Sequence, residues 1–164
     1  FSTLSATSLA SRGAINLYHN GNVNVLEGAS ANFINFQNDG FNTLCGDYIA
    51  RDDIDILSAT TLVCDGAEQV FSSRNIIMGG AINGGTSTNI NIQADSRLVL
   101  SGNVGRGTFL ESISISAPEI EFSPSVTLFG ANNALISGSN ITVASTSFSS
   151  INGIEFVDSQ ITGG

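Results

Sequence analysis

The chain contains no lysine. That absence excludes Schiff-base chemistry and any lysine nucleophile. Charge of either sign is scarce: charged residues are 12% of the 164, against roughly 25% in an average soluble domain. The charge present is mostly negative, with 14 acidic residues, five arginines and a formal net charge of −9. Such a surface disfavours nucleic acid, whose phosphates need Lys or Arg, and it disfavours anionic membranes. No apolar run reaches the roughly 18 residues of a spanning helix, so direct membrane insertion is not expected. There is one histidine, His19, in the turn Tyr18-His19-Asn20-Gly21, with no Cys or carboxylate beside it. The two cysteines, Cys45 and Cys64, have no paired metal-ligand spacing. No zinc site follows, and no cofactor is expected. Two cysteines are also too few for a disulfide framework. Cys64 is expected to act as a small buried hydrophobe, with Cys45 on a different strand of its coil; whether they bridge is left open.

Polarity is carried instead by Ser, Thr, Asn and Gly, which suit tight turns and close stacking. Hydrophobic residues are 41%, enough for a core. They recur in one phrase, polar-aliphatic-polar-aliphatic: Asn22-Val23-Asn24-Val25, Asp53-Ile54-Asp55-Ile56, Asn89-Ile90-Asn91-Ile92, Ser112-Ile113-Ser114-Ile115 and Asn140-Ile141-Thr142-Val143. Alternation of this kind marks a strand with one face buried. The first aliphatic falls at Val23, Ile54, Ile90, Ile113 and Ile141, an irregular step that points to a coiled solenoid. Gly13-Ala14-Ile15-Asn16 returns as Gly80-Ala81-Ile82-Asn83, and Ala14 stands as far from Ala81 as Val23 does from Ile90. The recurrences predict an all-β parallel β-helix over 1–164, about five coils of three short strands each. A β-sandwich or an antiparallel barrel would show turn signals every 8–12 residues but not the recurring phrase. Ile54, Ile90, Ile113 and Ile141 are expected to stack in one inward column, and Ile56, Ile92, Ile115 and Val143 in another. The chain starts at Phe1 and ends on Gly163-Gly164 in mid-pattern, so it is expected to be one segment of a longer or filament-forming chain.

The densest polar cluster is Arg51-Asp52-Asp53-Ile54-Asp55, with Asp47 upstream and Asp65 downstream. Asp52, Asp53 and Asp55 supply hard oxygen donors of the kind that Ca²⁺ takes. Asp47, Asp53, Asp55 and Asp65 could instead line an acidic groove for acid/base cleavage of a polysaccharide. Asp53 and Asp55 can share one strand face, which Asp52 cannot. An acidic groove would repel a uronate. The plainest alternative is a solvated charged loop closing one coil. Arg51, Arg74 and Arg97 are evenly spaced by 23, but the coil steps around them differ, so the spacing is taken as coincidence. Asn140-Ile141-Thr142 fits the N-glycosylation pattern, though it lies on the repeated strand.

Phe71-Ser72-Ser73-Arg74-Asn75 followed by Gly79-Gly80-Ala81-Ile82 looks like a repeat unit of the polymorphic membrane proteins, a group of autotransported surface adhesins. Gly79 to Ile82 matches their Gly-Gly-Ala-Ile type motif, while Phe71 and Asn75 stand one residue further apart than the companion Phe-x-x-Asn motif. Arg12-Gly13-Ala14-Ile15 is a partial second copy. The resemblance implies a right-handed β-helix and a secreted or surface-displayed adhesive or structural rod, and carries over no binding residue. The expected function is therefore an extracellular, non-catalytic rod segment. Its expected partners are further coils, through continuation or end-to-end self-association, and a host-surface or glycan ligand. A carbohydrate-active enzyme, a polysaccharide lyase or glycoside hydrolase, is the alternative.

Overall fold

The computed structural model describes residues 2–64, 66–84, 88–105, 110–150 and 152–163, with backbone alone at 130–132. These residues form an all-β solenoid with no helix among them. Its strands pair in parallel, each with its counterpart one coil on. Each coil crosses three faces, with a strand on each except that the sixth coil has only the bridge residue Val104 on the first face among the described residues. The first coil places Ser2–Ala6 on the first face, Leu9–Ala10 on the second and Ala14–His19 on the third. Longer strands such as Tyr48–Ile56 and Asn89–Leu100 run through the corner from the second face to the third.

The third face shows the true repeat. Ile15, Ile34, Ile54, Ile76, Leu98, Ile120, Ile141 and Ile161 stand in one column. There are thus eight coils rather than five, each shorter than the recurring phrase suggests. The phrase falls on different faces: Val23 on the first, Ile90 and Ile113 on the second, Ile54 and Ile141 on the third. The steps from Val23 to Ile54 and from Ile54 to Ile90 therefore span one turn and part of another. Ile90 and Ile92 are buried and stack on Ile113 and Ile115 as expected. On their other side lie Gln69 and Phe71, not Ile54 and Ile56. Ile54 and Ile56 stack on Ile76 and Met78, and Ile141 and Val143 stack on Ile120 and Phe122.

The core is the sum of these columns. On the second face Ala29, Tyr48, Phe71, Ile92, Ile115 and Ile136 follow one another, all buried. The Tyr48 ring stacks on Phe71 at a centroid distance of 5.0 Å, and its hydroxyl donates to the Val25 carbonyl at 3.0 Å. Burial pushes this phenol well above its ordinary range, partly opposed by a bond to the Cys45 backbone. At the inner corner between the second and third faces the side chains are small: Ala50, Ser73, Ala94 and Ala117 are buried there. At the corner that returns to the first face, a Cβ on Gly80 would meet the Ser58 backbone, and one on Gly102 would meet the Gly80 carbonyl. Gly80 of the Gly-Gly-Ala-Ile motif thus lets one coil close on the next.

Besides Ser58, Ser73 and Thr88, the buried polar residues among those described are Asn42, Thr60 and Gln69. Asn42 and Thr60 neighbour one another in the first-face column and hydrogen-bond at 3.2 Å. Gln69 heads the column of Ile90 and Ile113, fully buried, with neither amide atom hydrogen-bonded among the described residues. An unsatisfied buried polar group costs about 1–3 kcal/mol. Gln69→Leu is expected to raise the unfolding free energy by about that amount, read as a higher urea midpoint at unchanged slope. A lower midpoint would contradict this description of the core.

Cys45 and Cys64 form a disulfide, with Cα atoms 5.1 Å apart. Leu44 and Leu62 are register partners on the first face. The two cysteines follow them at the next corner, so the bond staples the third coil to the fourth. Cys64 is accordingly half-buried at a turn and bonded to Cys45, not the small buried hydrophobe expected from the sequence.

Candidate functional site

Alternation on the third face sends every second residue outward. One outward row is Asp53, Asn75, Arg97, Glu119 and Asn140; the row beside it is Asp55, Ile77, Val99, Glu121 and Thr142. Two open depressions of about 320 Å³ each lie along these rows. The first is lined by Asp53, Asp55, Asn75, Ile77 and Val99, the second by Glu119, Glu121, Asn140 and Thr142, and Arg97 lines both. Together they make a shallow groove over the third to seventh coils, crossing the strands and following the axis of the solenoid.

The groove has internal structure. Asn75 donates its amide to the Asp53 carboxylate at 2.8 Å. Arg97 pairs with Glu121 at 2.6 Å and divides the two depressions. Asp55 accepts no hydrogen bond among the described residues. Partial burial, and then the neighbouring Asp53 charge, raise its carboxyl above the ordinary 3.8. A carboxyl raised on folding binds protons more tightly in the native state. The native state is therefore favoured below pH 3.8, and that advantage is lost as pH rises through the higher native value. Asp55→Asn is expected to raise the melting temperature at pH 7 and to leave it nearly unchanged at pH 3. Equal effects at both pH values would remove Asp55 from this account.

Asp53 and Asp55 come together as the alternation requires. Asp47 does not join them. It sits at the turn before Tyr48, and its carboxylate accepts from the Val70 backbone N–H at 3.2 Å. Asp65 lies outside the described residues. Asp52 is set apart by the corner itself. The third coil carries one more residue between Ile49 and Asp53 than the fourth does between Ser72 and Asn75. The extra length bulges outward, and Asp52 turns to Arg51, with a nitrogen-to-oxygen distance of 2.9 Å. That bond, opposed by desolvation and helped by the charges of Arg51 and Arg74, holds the Asp52 carboxyl below its ordinary range. The calcium reading of Asp52, Asp53 and Asp55 thus lacks convergence. No group of three or more His, Cys, Asp or Glu side chains gathers as a cation site among the described residues. The His19 ring hydrogen-bonds the Ser2 hydroxyl at 3.3 Å, at the first coil.

Glu119 and Glu121 were not singled out in the sequence; Arg97 entered only through an arginine spacing taken as coincidence, and Asn75 only through the Phe-x-x-Asn comparison. The signal that finds them is the step of 22 from Asn75-Ile76-Ile77-Met78 to Arg97-Leu98-Val99-Leu100 to Glu119-Ile120-Glu121-Phe122. Compared with protein-family models, curated proteins and solved structures, the chain finds no match.

Proposed function

We propose that this chain is a segment of an extracellular or surface-displayed β-helical rod that serves as a stalk or adhesive surface and catalyses nothing. The observation that carries this reading is the unbroken coil-on-coil register of the third face through all eight coils. Such stacking gives a stiff body roughly 35 Å long that presents the same outward positions again and again. The Cys45–Cys64 disulfide suits an oxidising exterior. Leu4 and Ile161 occupy inward columns at the outermost coils and are 41% and 47% exposed. Their exposure suits further coils, whether from the same chain or from another copy. The polymorphic-membrane-protein resemblance agrees with this reading at the Gly80 corner, where the motif glycine has a packing role.

The second reading, a polysaccharide-cleaving enzyme, is favoured by one observation. Asp53 and Asp55 are side by side with unlike environments, one hydrogen-bonded and one with a raised pKa, which is how paired carboxylates divide acid and base roles. One experiment separates the two. Beads coated with the chain are tested for adherence to glycan-bearing cell surfaces, and the soluble chain is incubated with a polysaccharide panel. Adherence without product release is expected. Product release that Asp55→Asn abolishes would overturn the rod reading in favour of the enzyme.

A further inference from the structure

We infer that the third-face groove binds a neutral, extended polysaccharide chain lying along the solenoid axis, its sugar rings spanning successive coils. This deepens the adhesive reading and rests on it. Three independent features of the groove lead here.

The first is pitch. Asp53, Asn75 and Arg97 are register partners on adjacent strands, as are Asp55, Ile77 and Val99. Like positions therefore repeat about every 4.8 Å along the axis. A pyranose ring in an extended, ribbon-like chain advances by nearly the same distance. Each coil can then set one residue of each row against one ring, a spacing that a coiled α-linked glucan cannot match along a straight row.

The second is the pairing of surfaces. A pyranose has apolar C–H faces and an equatorial rim of hydroxyls. The groove sets an aliphatic strip, Ile77 and Val99, beside a polar row of carboxylate, amide and guanidinium. Planar groups of these kinds fix hydroxyls by paired donor and acceptor contacts. Ile77 is 37% exposed, apolar surface that a sugar face would remove from water. Asp55, which accepts no hydrogen bond among the described residues, offers a hydroxyl a free acceptor.

The third is charge. Four carboxylates, Asp53, Asp55, Glu119 and Glu121, line the groove with one arginine. Arg97 is already paired with Glu121. Uronates, sulfated sugars and sialylated chains are repelled. The same charge does not repel a polycation, so the choice of a neutral over a cationic chain rests on the aliphatic strip of Ile77 and Val99, which gains nothing from a charged ligand. A neutral chain escapes the repulsion that an anionic one meets.

The test uses isothermal titration calorimetry with defined hexasaccharides: cellohexaose and mannohexaose as neutral ribbons, maltohexaose as the neutral coil, hexagalacturonate as the anion and the chitosan hexamer as the cation. A neutral ribbon is expected to bind best. Asn75→Ala and Val99→Glu are each expected to weaken it at least tenfold with unchanged circular dichroism. Thr61→Ala, on the outer side of the first face, is expected to change nothing. The inference is overturned if neither neutral ribbon binds, if a charged hexamer or maltohexaose binds better, or if Thr61→Ala weakens binding as much as Asn75→Ala. Because this is measured in solution, lack of hexasaccharide binding sinks the inference even where coated beads adhere. Hexasaccharide binding without bead adherence sinks the adhesive reading instead.

Discussion

Ile92→Ala is expected to lower the unfolding free energy by about 2–5 kcal/mol, the range for emptying a large aliphatic position in a packed core. Ile92 is 0% exposed and lies between Phe71 of the coil before and Ile115 of the coil after. Each coil is held by its neighbours alone, so the surrounding columns have little freedom to collapse into the gap. Asn91 is the adjacent residue and points the other way. Asn91→Ala is expected to stay within about 0.5 kcal/mol, as surface changes do. Urea unfolding of both variants supplies the contrast. A larger loss for Asn91→Ala than for Ile92→Ala would mean that inward and outward positions had been exchanged on this strand, as a slip of one residue in register would produce, and equal losses would contradict the described packing of Ile92.

Reducing the Cys45–Cys64 disulfide is the second large effect. The bond closes a loop of sequence separation 19. The loop entropy withheld from the unfolded chain corresponds to about 3 kcal/mol. Its position confines the damage. The corner holds the third coil to the fourth, and Gly46 there donates its N–H to the Cys64 sulfur at 3.1 Å. The Cys45→Ala, Cys64→Ala double variant is expected to unfold at a lower urea concentration. Native-state hydrogen exchange is expected to quicken first around residues 43–48 and 61–64. An unchanged midpoint would show that stacking alone holds these coils.

Much of the fold was legible in the sequence because one rule governs all three faces. Strict alternation told inward from outward at Ile54, Ile90, Ile113 and Ile141 alike, and it placed Asp53 and Asp55 on one surface. That uniformity is also why the coil count was not legible. Asn22-Val23-Asn24-Val25 on the first face and Asn89-Ile90-Asn91-Ile92 on the second are chemically interchangeable, so the phrase reveals a strand without revealing its face. The offset between the two Gly-Ala-Ile-Asn copies joins Ile15 on the third face to Ile82 on the first: three coils and one face further. Corner length hides the period as well. The bulge at Arg51 and Asp52 adds a residue to one coil and not to the next. The groove inherits the same limit. Its two aspartates are local in sequence, whereas Asn75, Arg97 and Glu121 join them only through strand register. The disulfide is hidden for that reason too, since Cys45 and Cys64 meet only through the register of Leu44 on Leu62.

Everything ascribed to the third face depends on its eight strands stacking one for one. Nitroxide labels at Asn16→Cys and Thr142→Cys test this directly by double electron–electron resonance. Asn16 and Thr142 occupy the same outward row, in the first and seventh coils. Six coil steps place them about 29 Å apart, and a narrow distribution near that distance is expected. A distance near 20 Å, which about four longer coils would give, or a broad distribution without a peak, would contradict the eight-coil register and the groove built on it.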